Sequence, residues 1–374
     1  MAHDLAESAQ DGVASVLAGR GYEPAARDTD LYAALDLGTN SCRMLIAAPD
    51  GGRFRVVDAF AKSVRLGSGL ERTGHLSRGA IARTLQALAV CAAKLERYRV
   101  ANVRLVATEA CRRARNGRHF LAVAEKETGL ALEVIRPEEE ARLAVISCAP
   151  LVSPDAEQVL VFDIGGGSTE LVWLDVSGIA RERRAQAIVD LEMNGPEAPG
   201  AARIVDFISV PLGVATLHER YADVADDSAR FALMSWYFEE QIVGFKPYLE
   251  TLARADGTNF QMIGTSGTVT TVGAAHLGLR RYDRRKVDGM RLSGRAIEEV
   301  IGRFLRLGPE GRRQDIGLGR DRSELIMSGV AILQTLLRIW PTDSMRVADR
   351  GLREGMLFAM MSARGAFADG VQLE

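Results

Sequence analysis

The chain has 374 residues, room for two ordinary domains, with 47% hydrophobic and 26% charged residues. That balance excludes a chain disordered throughout, and a net charge of −2 excludes a global basic field for DNA or an anionic membrane. No apolar run approaches the roughly 18 residues a membrane span needs, and residues 1–30 lack a basic segment followed by an apolar core, so cytoplasm is the expected location. Cys42, Cys91, Cys111 and Cys148 form no CxxC pair and adjoin no histidine cluster, which favours buried reduced thiols over a zinc site or a disulfide framework.

In chain order, residues 1–30 read as a mobile arm with a short helix near Val13–Leu17. Three strands follow, Tyr32–Leu35, Arg43–Ala48 and Phe54–Phe60, joined by short turns as an antiparallel meander. Helical periodicity runs over 78–98, where Ile81, Leu85, Leu88 and Leu95 share a face. A strand at Val103–Ala107 precedes a helix over 117–128, a strand at Leu132–Ile135 and a helix over Glu138–Ile146. Pro137 suits the first turn of that last helix, and the acidic residues there complement its dipole. The pattern then restarts with strands Val159–Phe162 and Leu171–Val176. A Gly/Pro/Ala-rich loop is expected at Asn194–Ala202, and residues 225–253 read as helical. A strand at Gln261–Ile263 leads to a further glycine turn and a helix. The rest reads as mainly helical, interrupted by one short segment at Met345–Ala348.

The restart suggests an internal duplication. Residues 33–41 (AALDLGTNS) and 160–168 (LVFDIGGGS) both read as apolar strand, Asp, apolar residue, Gly and small polar residues, then another strand. Two similar α/β lobes would bring both turns to one cleft. Neither turn carries a Walker lysine or leads into a helix, so both differ from the common nucleotide loops. Glycine lets the backbone approach an anion closely, and Thr39, Ser41, Ser168 and Thr169 add hydroxyl donors. Asp36 and Asp163, too acidic to meet phosphate directly, suit Mg²⁺ or another divalent cation that meets the phosphate. Residues 264–268 (GTSGT) form a third turn of this kind.

In this combination the sequence resembles the exopolyphosphatase/guanosine pentaphosphate phosphatase family. The motifs are Asp36–Ser41, Ala107-Thr108 through Arg112 to Asn116, and residues 139–143 (EEARL). They continue with Asp163–Glu170, Val210–Gly213, Gly264–Thr268 and Gly351–Gly355, covering about residues 32–357. The resemblance implies two ribonuclease-H-like lobes of the actin, sugar-kinase and heat-shock ATPase superfamily flanking a cleft. It implies an N-terminal arm over 1–30, a first lobe over 31–150 and a second over 151–356, with a final helix over about 357–374 packing on the first lobe. Lacking the added C-terminal region of longer members, the chain resembles the short, two-domain form.

The activity so implied is hydrolysis of a terminal phosphoanhydride, usually with Mg²⁺. Spacing leaves Glu138, Glu139 and Glu140 equivalent; the resemblance selects Glu140 as general base, with Glu170 a catalytic and metal-positioning helper beside Asp36 and Asp163. Substrate contacts are expected from Gly38, Thr39, Asn40, Ser41, Arg112, Gly165, Gly166, Gly167, Ser168, Thr169, Gly264, Thr265, Ser266 and Gly267. Four positions depart from the family pattern: Arg136-Pro137 in place of Ser-Gly, Glu109 in place of a small or neutral residue, and Asp288 where His often precedes Gly289. Basic clusters at Arg112–Arg118, Arg280–Lys286 and Arg312–Arg322 favour a polyanion. Inorganic polyphosphate is the leading substrate and guanosine pentaphosphate the alternative, with a phosphotransferase or a non-catalytic sensor as other classes and a homodimer as an expected assembly.

Overall fold

A computed structural model describes residues 31–191, 201–250, 259–318 and 320–367. The predicted helix near Val13–Leu17, most of the predicted loop at Asn194–Ala202 and the chain after residue 367 lie outside them. The architecture rests on two mixed sheets. The first has five strands in the order β3-β2-β1-β4-β5, with β1 Tyr32–Leu37, β2 Ser41–Asp50, β3 Arg53–Ser63, β4 Asn102–Ala107 and β5 Glu133–Val134. The second has six in the order β10-β11-β9-β6-β7-β8. Its strands are β6 Gln158–Ile164, β7 Thr169–Asp175, β8 Arg203–Val210, β9 Phe260–Thr265, β10 Arg291–Leu292 and β11 Met345–Ala348.

The helices that matter below are α1 Arg78–Arg97, α2 Glu109–Arg113, α3 Gly117–Thr128, α4 Pro137–Cys148, α5 Val214–Arg220, α6 Asp227–Ile242, α7 Ser266–His276, α8 Gly294–Gln314, α9 Arg320–Ile339 and α10 Leu352–Ala363. Helix α1 starts where Ser77 accepts a hydrogen bond from the Ala80 N–H, the ordinary N-cap arrangement. It buries Ala80, Thr84, Ala87, Leu88, Cys91 and Leu95, residues three and four apart on one face.

The duplication predicted from sequence is visible in the strand register. β1 pairs antiparallel with β2 and parallel with β4, while β6 pairs antiparallel with β7 and parallel with β9. Both hairpin turns close with the same hydrogen bond, Gly38 N–H to the Ser41 carbonyl at 2.9 Å and Gly165 N–H to the Ser168 carbonyl at 3.0 Å.

Three hydrophobic clusters order the layers. One packs α1 and α3 on the first sheet, and another packs α6, α8 and α9 around the second. The third joins the sheets: Ala34 and Leu45 of the first and Val161 and Val172 of the second share it with α4 and α10. Helix α4 packs against β6, β7 and β8, α10 packs against β1 and β2, and the two helices pack on each other. This buried pair fixes how the β1–β2 and β6–β7 hairpins face one another.

Two expectations change. The helical stretch read over 225–253 is divided: α6 ends at Ile242, a separate helix spans Lys246–Glu250, and 251–253 lie outside the described residues. Gly244 favours the break, and Pro247 is tolerated only because it falls in a first turn. Strand β8 was not foreseen, because Asp206 and Ser209 interrupt its apolar run; it is held as a strand by pairing with β7.

Candidate active site

Both hairpins end at one cavity of about 460 Å³. Its lining includes Asp36, Gly38, Thr39, Asn40 and Ser41 from the first turn and Asp163, Gly165, Gly166, Gly167 and Ser168 from the second. The turns meet almost tip to tip: a Cβ added at Gly166 would lie 3.1 Å from the Asn40 Cβ. Thr39 Oγ1 is buried there with no hydrogen-bond partner among the described residues, an acceptor and donor of the kind a phosphate oxygen would satisfy.

The motif Val210–Gly213 has a structural reason. Helix α5 starts against the second hairpin, with Val214 N–H donating to the Gly165 carbonyl at 2.9 Å and Ala215 N–H to the Gly166 carbonyl at 2.8 Å. Any Cβ at Gly213 would meet the Gly165 carbonyl oxygen at 2.4 Å, so only glycine lets the helix approach this closely.

The third turn differs from the first two, for it leads from β9 straight into α7. Thr265, Ser266, Gly267 and Thr268 line the cavity, so the N-terminus of an 11-residue helix faces it. Ser266 holds φ of 87°, a conformation rarely adopted outside glycine, and its hydroxyl donates to the Ile164 carbonyl at 2.6 Å. Gly264 does not reach the cavity; it packs under the Phe162 ring. Thr169 does not either, because its hydroxyl is buried and donates to the Leu212 carbonyl at 2.7 Å.

Of the three glutamates opening α4, geometry separates Glu140. Glu139 accepts from Arg142 at 2.7 Å and pairs with Arg104 at 2.9 Å, while Glu138 lies 3.7 Å from Arg136. Glu140 alone of the three lines the cavity, and it accepts from Arg112 Nη1 at 2.8 Å. Glu170 is placed differently from expectation. It pairs with Asp163 across β6 and β7, is 3% exposed, accepts from Ser209 Oγ at 2.9 Å, and is not part of the cavity wall. Arg112 is also outside the wall, held among Glu109, Glu140 and the Ile135 carbonyl.

Sequence reasoning missed Arg43, Arg350 and Arg353 and took Glu109 only as a departure, yet all four line the cavity. A signal for Arg43 was present, since it stands opposite Asp36 in register as Glu170 stands opposite Asp163. The basic clusters divide. Arg322 reaches the cavity and is held by the Thr271 hydroxyl at 2.9 Å, whereas Arg312 is buried against Asp227 and the Phe304 carbonyl.

The acidic groups strain one another. Burial pushes Glu140 up to about 7 against the pull of Arg112, with Asp36 and Asp163 adding to the rise. Burial likewise pushes Asp163 up to about 7, with Asp36 adding and Arg43 opposing. Asp36 and Glu170 are raised for the same first reason. In the metal-free protein Glu140 and Asp163 therefore hold protons that the unfolded chain releases near pH 4. Their contribution to stability is complete below that pH and is lost as pH rises through about 7. Asp175 acts in a separate, more acidic window, because its burial is outweighed by Ser177 and Arg203, which hold it at about 2. In chelator, the melting temperature is expected to fall by several degrees between pH 5 and 8, and Mg²⁺ is expected to raise it more at pH 8 than at pH 5. A flat profile with no cation effect would count against close packing of these carboxylates.

The Ppx/GppA phosphatase family model matches residues 45–364. The chain belongs to that family. It is similar, at 28% identity, to the crystal structure of a Ppx/GppA family member from Aquifex aeolicus, which it matches over 90% of its own length and 98% of the other chain with a TM-score of 0.69. An exopolyphosphatase from Cytophaga hutchinsonii shares the fold, with 22% identity, coverage of 89% and 98%, and a TM-score of 0.74. A guanosine-5'-triphosphate,3'-diphosphate pyrophosphatase from Aeromonas hydrophila is 29% identical over 337 residues, 89% of this chain. The chain spans 60% of that relative's length. The two-sheet α/β fold is thus that of solved Ppx/GppA structures. Among the described residues no helix is long and apolar enough to cross a membrane.

Proposed function

We propose that this chain hydrolyses the terminal phosphoanhydride of inorganic polyphosphate, with Glu140 as general base. The observation that carries this is the convergence of both Asp-Gly hairpins, the start of α7 and Glu140 on one cavity. Phosphoanhydride hydrolysis requires an oriented water and compensation of phosphoryl charge, with little covalent work for the protein. The hairpins around Gly38–Ser41 and Gly165–Ser168 bring backbone and hydroxyl donors, and Arg43, Arg322, Arg350 and Arg353 bring positive charge. A carboxyl titrating at about 7 is matched to accepting a proton from water near neutrality. Glu170, behind the wall and opposite Asp163 in the strand register, is proposed to help position Asp163 and the cation it would hold.

The donor set suits Mg²⁺. Asp36 and Asp163 are oxygen donors at equivalent strand ends, and their mutual repulsion is what a cation relieves. Among the described residues no group of three metal-ligating side chains converges, which accords with an ion that keeps water and phosphate oxygens in its shell. Bound there, Mg²⁺ would supply charge neutralisation on the phosphates.

Among the described residues the wall holds no aromatic ring, and its polar groups are hydroxyls, carboxylates, the Asn40 amide, glycine turns and arginines. That favours a chain of phosphates over a nucleobase as the recognised part. Guanosine pentaphosphate is the second reading, favoured by the activity in the Aeromonas relative's name. The test is phosphate release from short polyphosphate, long polyphosphate, guanosine pentaphosphate and ATP, with and without Mg²⁺. Polyphosphate is expected to show the highest kcat/KM. A preference for guanosine pentaphosphate would select the second reading, and failure on all four beside active controls would leave a binding protein.

A further inference from the structure

Arg112 turns its donors to protein rather than to the cavity. Its Nε and Nη2 both donate to Oε2 of Glu109, at 3.0 and 2.8 Å. Its Nη1 donates to Oε2 of Glu140 and to the Ile135 carbonyl, at 2.8 and 2.9 Å. Glu109 and Glu140 line the cavity and Arg112 does not, so two carboxylates hold one guanidinium just behind the wall. Glu109 is itself fixed. It is 8% exposed, Arg113 Nε lies 3.8 Å from its Oε1, and its Cγ packs over Gly167, where an added Cβ would come within 3.1 Å.

An arginine beside a polyphosphate site would ordinarily pair with phosphate, for which its planar donors are well suited. Building on the hydrolase reading, we infer that Glu109 is a positioning residue that commits Arg112 to the Glu140 carboxylate and keeps it off the substrate's phosphates. The arrangement gives up phosphate affinity for a fixed orientation of the base. Removing Glu109's charge frees the guanidinium to rotate toward phosphate, and Glu140 loses its anchor.

Tripolyphosphate tests this with two readouts, calorimetric affinity in chelator and steady-state phosphate release with Mg²⁺. Glu109→Gln is expected to bind roughly tenfold more tightly, and its kcat is expected to fall about 10- to 100-fold from misplacement of the base. Deleting a negative charge tightens any anion, so the deciding comparison uses Arg112→Gln. In that background Glu109→Gln should give a clearly smaller gain in affinity, because most of the gain runs through Arg112. An equal gain with and without Arg112, or an unchanged kcat, would overturn the inference. Should Glu109→Gln fail to fold, Glu109→Asp, too short to reach both donors, should show the same two changes at smaller size. If the wild-type protein binds tripolyphosphate without releasing phosphate, the hydrolase reading fails while the affinity comparison still decides the role of Glu109.

Discussion

Glu140→Gln is expected to lower phosphate release by about 10²- to 10⁴-fold, the usual contribution of a positioned general base, while polyphosphate binding is kept or tightened. Glutamine keeps the size of the side chain and can still accept from Arg112 Nη1, which reaches Glu140 at 2.8 Å. It cannot take a proton from water. It also removes one of the charges that raise Glu170, so the variant should be no less stable than wild type at neutral pH. Affinity measured in chelator, turnover measured with Mg²⁺ and a melting curve separate these effects. Turnover within tenfold of wild type would move the base elsewhere, and Asp163, pushed up to about 7 on the same cavity, would be the first alternative.

The second large effect lies at Gly355, outside the wall. A Cβ there would stand 2.0 Å from the Leu143 carbonyl oxygen and 2.7 Å from its carbon, a collision of backbone with backbone. Leu143 is on α4 one turn beyond Glu140, and Gly355 is on α10 just after Arg353, which lines the cavity. Gly355→Ala must therefore push apart the two helices that hold the sheets together. A cost on the order of 3 kcal/mol or more is expected from such overpacking. Activity should fall even at temperatures where the variant is folded, because Glu140 moves relative to the hairpins. Gly178→Ala is the control, since a Cβ there meets nothing within 4 Å and should change neither melting temperature nor turnover. A Gly355→Ala protein as stable and active as that control would show that α4 and α10 adjust freely.

Much of this was legible in the sequence, and the reasons differ by element. The paired hairpins could be read because each is local: an apolar strand, an Asp, a glycine turn and a second strand within a dozen residues. Helix α1 could be read because its buried face recurs at helical spacing and its cap is a serine. What could not be read depends on which partner a side chain takes once folded, near or far in the chain. Arg112 looked like a phosphate ligand because the sequence does not show that Glu109 and Glu140 occupy it. Glu170 looked like part of the wall because it closes a motif, but pairing of β7 with β8 sets it against Ser209 instead. Strand β8 owes its conformation to the sheet rather than to its own polar-interrupted pattern. The three glutamates of α4 were indistinguishable until Arg104 and Arg142 were seen to hold Glu139.

The central claim is that water held by Glu140 attacks the terminal phosphorus of a phosphate chain lying between the two hairpins. Hydrolysis of tripolyphosphate in water enriched in oxygen-18, followed by mass analysis of the products, tests it most directly. Attack at the terminal phosphorus places one labelled oxygen in each released orthophosphate and none in the pyrophosphate left behind. Label in the pyrophosphate, with unlabelled orthophosphate, would place the attack at the neighbouring phosphorus and contradict the account.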